Sequence, residues 1–70
     1  MHTVEARILD ALDTDGGFVT ADVAVRAHIE MGSRAASSAA ALSWLMRLEK
    51  QGLVKRMDDD RPIVWIKVAR

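Results

Sequence analysis

The 70-residue chain has no cysteine and no tyrosine, one proline, and only one phenylalanine and two tryptophans. Without cysteine there can be no disulfide framework, no thiol nucleophile and no thiolate ligand for zinc. Net charge is also missing. Ten lysines and arginines balance ten acidic residues, so the chain is not a uniformly basic coat for a polyanion. No apolar run approaches the roughly 20 residues that a membrane-spanning helix needs. The N-terminus lacks the basic-then-apolar layout of a secretory signal. These absences lead to the expectation of a soluble, cytoplasmic protein.

Half of the residues are apolar, but eleven of those are alanine, which leaves few large side chains for a core. One small domain over residues 1–70 is expected, with modest stability of about 3–5 kcal/mol unless a partner adds surface. A deep catalytic cavity does not fit in so small a core. Charge is unevenly placed. Residues 1–32 hold six acids against Arg7 and Arg26, a balance of −4, and residues 33–70 hold eight bases against four acids, a balance of +4. Such a split is a hint of a side that faces a polyanion, with chance scatter as the plain alternative.

Val4, Ile8, Leu9 and Leu12 repeat at helical spacing behind Thr3, a suitable N-cap, and Gly16-Gly17 ends this first helix. Phe18-Val19 follows as a short extended segment. Thr20 is expected to cap a second helix whose stripe is Val23, Ala24, Ala27 and Met31, with Gly32 in a left-handed conformation at its end. The third helix runs from about Arg34 to Gln51, capped by Ser33 or Ser37 and stopped by Gly52. With Leu45 at the centre of its buried face, Ala41, Leu42 and Leu48 lie within about 60° of it. Ala36, Ala40, Ser43 and Arg47 then line the opposite side.

After Gly52 the period becomes alternating. Residues 53–57 and 63–68 are rich in β-branched side chains and flank Asp58-Asp59-Asp60-Arg61-Pro62, so they read as an antiparallel hairpin. In its second strand Val64, Ile66 and Val68 share one face, and Ile63, Trp65 and Lys67 share the other. That second face either packs against the first helix or is an exposed patch joining two chains. On the second of these alternatives Ile63 and Trp65 are the homodimer surface.

The segment Leu45-Met46-Arg47-Leu48-Glu49-Lys50-Gln51-Gly52-Leu53-Val54-Lys55-Arg56 is similar to the L-x-x-L-E-x-x-G-L-V-x-R pattern of MarR-type and related small bacterial or phage regulators. Asp59-Asp60-Arg61-Pro62 stands where that group has its wing tip, and the stretch from Phe18 to Ala24 is similar to its approach to helix 2. The resemblance implies a winged helix-turn-helix, α+β and mainly α, with three helices and a C-terminal hairpin wing. It further implies a DNA-binding transcriptional regulator with helix 3 in the major groove and the wing on the backbone. This chain departs from the pattern in an enlarged segment before helix 3, in three aspartates at the wing tip that repel phosphate, and in having no counterpart to the family's long dimerisation helices.

On that reading the DNA-binding residues are Arg34, Ser37, Ala40, Ser43, Arg47 and Lys50 on helix 3, with Lys55, Arg56 and Arg61 on the wing. Basic side chains supply phosphate affinity, and arginine alone offers the paired donors that read guanine. The small-residue face of Ala36, Ala39, Ala40 and Ser43 would equally admit another helix, which makes a protein partner the alternative to double-stranded DNA. His2 and His28 are isolated. Asp13-x-Asp15-Gly16 has its glycine misplaced for a calcium loop and lacks the closing glutamate. No metal, cofactor, small-molecule substrate or enzymatic activity is expected.

Overall fold

A computed structural model describes residues 3–13, 16–57 and 62–68. The elements run α1 (Thr3–Ala11), β1 (Phe18–Val19), α2 (Thr20–Arg26), α3 (Arg34–Lys50), β2 (Val54–Arg56) and β3 (Val64–Lys67). The fold is α+β and mainly helical. Its antiparallel sheet has the order β1-β3-β2, so the last strand lies in the middle. Phe18 pairs with Trp65 and Val19 with Val64, while Val54, Lys55 and Arg56 pair with Lys67, Ile66 and Trp65. The tip expected at residues 58–61 lies outside the described residues.

The core follows the helical spacing. Ile8 and Leu12 from α1 and its last turn meet Val23 and Ala24 of α2, and Ala41, Leu45 and Leu48 of α3 close over them. Val54 and Trp65 supply the sheet's contribution. Strand alternation puts Phe18, Val54, Arg56 and Trp65 on the core side. Val19, Lys55, Val64 and Ile66 take the outer side, where Gly17 lies against Val64 and Ile66. A Cβ on Gly17 would come within 2.5 Å of Val64 Cγ1 and 2.9 Å of Met57 Sδ, so only glycine fits that crossing.

Both α2 and α3 end in the same six-residue hydrogen-bond pattern. In α3, Gly52 N–H donates to Glu49 C=O and Leu53 N–H to Leu48 C=O, each at 3.0 Å, with Gly52 at φ +77°. In α2, His28 N–H donates to Val25 C=O at 3.2 Å and Ile29 N–H to Ala24 C=O at 2.9 Å. The left-handed position there belongs to His28, at φ +57°. This Schellman arrangement satisfies the last carbonyls and tucks the following apolar residue, Ile29 or Leu53, back toward the core.

It also corrects the expected length of the second helix. The helix stops at Arg26, and Met31, placed on the buried stripe by spacing, is 59% exposed. Ile29 is buried in its stead. Gly32 is left-handed as expected, but in the approach to α3. Thr20 does not cap α2. Val19 holds the cap position without a side-chain bond, and the Thr20 hydroxyl accepts from Trp65 Nε1 at 2.8 Å. Histidine in a left-handed conformation costs about 1–2 kcal/mol more than glycine. His28→Gly is therefore expected to raise stability by about 0.5–1 kcal/mol after glycine's greater unfolded-state entropy is subtracted. A thermal melt reads this as a midpoint a few degrees higher, and a lower midpoint would contradict the assignment.

Trp65 overturns a second expectation. It is fully buried in the folded monomer, and Ile63 is half-buried against the same core. A residue with no exposed surface cannot supply a self-association patch, so the proposed dimer surface of Ile63 and Trp65 is withdrawn. The indole fills the core because β3 is the central strand, with neighbours on both sides and helices beneath.

Candidate nucleic-acid interface

α3 is the longest element, about 25 Å at 1.5 Å per residue. Ser33 caps it, accepting from Ala36 N–H at 3.1 Å. Arg47 and Lys50 in the last turn offset the negative end of the helix dipole. The leucine face is buried, which leaves Ala36, Ala39, Ser43, Met46, Arg47 and Lys50 exposed along the outward side. The face is short-chained over its first half and cationic over its last two turns.

Three of the nine residues expected to touch DNA stand differently. The Ser37 hydroxyl accepts from Met31 N–H at 3.0 Å and donates to Ser33 C=O at 2.9 Å. It ties down the α2–α3 connection and is committed there. Ala40 is half-buried and packs against the core, because it sits at the margin of the outward face. Arg56 points toward α3, its Nε 3.1 Å from Glu49 Oε2 and its guanidinium 5.2 Å from the centre of the Trp65 ring. Strand alternation puts Arg56 on the core side of β2, where a charge needs a partner, and Glu49 supplies one. Arg61 lies outside the described residues.

The remaining five are exposed: Arg34, Ser43, Arg47, Lys50 and Lys55. Ser43, Arg47 and Lys50 share the outward face of α3. Lys55 points outward from β2. Arg34 stands apart, about 20 Å along the helix axis from Arg47 and rotated by about 140° around it. It borders a shallow groove between α2 and α3, with Val25, His28, Ile29 and Glu30. Lys67, a further base of the hairpin, pairs with Asp13 at 3.3 Å and so ties β3 to the end of α1.

The Arg56–Glu49 pair has an electrostatic effect beyond its own contact. Glu49 is the one carboxylate of α3, and its neutralisation removes a repulsion that would otherwise stand beside Lys50. Among the described residues no carboxylate forms an ion pair with Arg34, Arg47, Lys50 or Lys55. Sequence reasoning missed one contact on this face. The Arg47 guanidinium lies 5.1 Å from the centre of the Trp44 ring, and the three-residue spacing was the available signal.

No protein-family model matches the chain, and no curated protein or solved structure matches it. Among the described residues no helix is long and apolar enough to cross a membrane.

Proposed function

We propose that the chain is a winged helix-turn-helix domain that binds double-stranded DNA as a small bacterial or phage transcriptional regulator. α3 enters the major groove, and the β2–β3 hairpin lies beside the backbone. The observation that carries this reading is the outward face of α3. Its short side chains at Ala36, Ala39 and Ser43 let the helix backbone approach base edges. Arg47 and Lys50 bring positive charge to the same face, and the acid nearest to them is already neutralised. The order α2, α3, hairpin supports it as well, since α3 packs most extensively on α2, as the second helix of such a pair does on the first.

Backbone amide shifts of the labelled protein, followed as a random-sequence duplex is added, test the reading. The largest changes are expected at residues 36–50 and at Lys55, with α1 little affected. Changes confined to α1, or none at all, would contradict it. Met46, 49% exposed beside Ala39 and Ser43, favours the second reading, in which the same face docks a protein helix. Under that alternative the duplex leaves the spectrum unchanged.

A further inference from the structure

We propose that Trp44 is a positioning residue that holds Arg47 for recognition of a guanine in the major groove. The proposal rests on the DNA-binding reading above and assigns its sequence preference to one pair of side chains. Trp44 is half-buried at the flank of the outward face and packs against the core, so its ring is fixed from beneath. Arg47, three residues on, lays its guanidinium over that ring, 5.1 Å from the centre. A cation–π contact of this kind uses the charge of the guanidinium and none of its N–H donors, so the groups that pair with O6 and N7 of guanine are left for a base.

Two other arginines lie over aromatic rings, and neither is placed to do this. Arg56 over Trp65 has spent donors on Glu49. Arg26, 4.2 Å from the centre of the Phe18 ring, belongs to the last turn of α2, in the acidic half of the chain. Arg47 alone combines a guanidinium over a ring, no carboxylate partner among the described residues, and a place on the outward face of α3. Its neighbours Ser43 and Ala39 are too short to compete for the same base edge. An arginine held in one orientation loses less freedom when it forms two parallel hydrogen bonds than one that swings free in solvent.

Selection from a random duplex library with the full chain tests the proposal, alongside the salt dependence of binding to an unselected duplex. The unaltered protein is expected to enrich one G·C pair at a fixed position. Trp44→Leu, which keeps an apolar side chain but removes the ring, should lower discrimination at that position about tenfold. Its salt slope on the unselected duplex should not change. Trp44→Phe should recover much of the preference, and Arg47→Lys should lose it while keeping the charge and the slope.

Trp44→Leu with the parent preference would overturn the proposal. So would a Trp44→Leu slope smaller by about one unit, which would put Arg47 on a phosphate. If Trp44→Leu fails to fold, Trp44→Met, which also lacks a ring, decides by the same comparison, full parental preference counting against the pair. Salt-dependent binding by the unaltered protein without any G·C preference defeats this inference and leaves the DNA-binding reading standing. Absence of salt-dependent binding defeats both.

Discussion

A Trp65→Ala chain is expected to be largely unfolded at room temperature. The indole sits at the centre of the central strand, opposite Phe18 on one side and Arg56 on the other, and no part of it is exposed. Removing so large a buried side chain costs about 3–5 kcal/mol in lost transfer energy and residual cavity. A single small core of this size supplies about the same amount in total. The truncation also strips the Thr20 hydroxyl of its 2.8 Å partner and leaves the Arg56 guanidinium without the ring beneath it. Far-UV circular dichroism with a thermal ramp would show a weak signal and no cooperative transition. A melt like that of the parent chain would mean that Trp65 does not hold the sheet on the helices. Trp65→Phe keeps one ring but loses the donor and part of the buried volume, so it should destabilise less than Trp65→Ala.

The second large effect concerns binding. Arg47→Glu together with Lys50→Glu is expected to weaken duplex binding by more than a hundredfold at low salt. Each lost charge-assisted contact accounts for about 1.5 kcal/mol, and the pair for about 3 kcal/mol. Two new carboxylates facing phosphate add repulsion to that loss. Both positions are exposed, so thermal stability should change little beyond the weaker offset of the helix dipole. Unchanged binding in a folded double variant would place DNA on some other surface. The double variant also distinguishes this face from the Arg56 position. Arg56→Ala should act mainly on stability, by leaving Glu49 unpaired against β2.

The amphipathic spacing of α1 and α3 was legible in the sequence because it depends on local periodicity, and so was the break at Gly52. The hairpin was legible for the same reason. The end of α2 was not, because the left-handed residue that closes it is His28, and glycine is the signal that reading recognises. The inward face of β3 could not be chosen from alternation alone. Ile63, Trp65 and Lys67 look no more core-like than Val64, Ile66 and Val68. The choice is made at long range, by the pairing of Phe18 with Trp65 and by Lys67 reaching Asp13 at the sheet's end.

The candidate interface divides along the same line. Ser43, Arg47 and Lys50 were placed correctly by helical phase. Ser37, Ala40 and Arg56 were not, because what occupies them is a turn, a packing margin and a partner on another element. Arg47 and Trp44 show that spacing can point to a contact when both partners share one helix. Arg56 and Glu49 sit seven residues apart on different elements, and no periodicity joins them.

On the proposed reading, the outward face of α3 and the strand beside it meet the phosphates of a duplex. The most direct measurement is the affinity of the unaltered chain for a random-sequence duplex, followed as salt is raised from low to near-physiological concentration. With Arg47 engaged on a base edge, two or three exposed bases, Lys50 and Lys55 with or without Arg34, should give a log–log slope between about −1.8 and −2.7, at about −0.9 per phosphate neutralised. Binding that is absent at low ionic strength, or that does not weaken as salt is added, would contradict the account and leave the protein-docking alternative in its place.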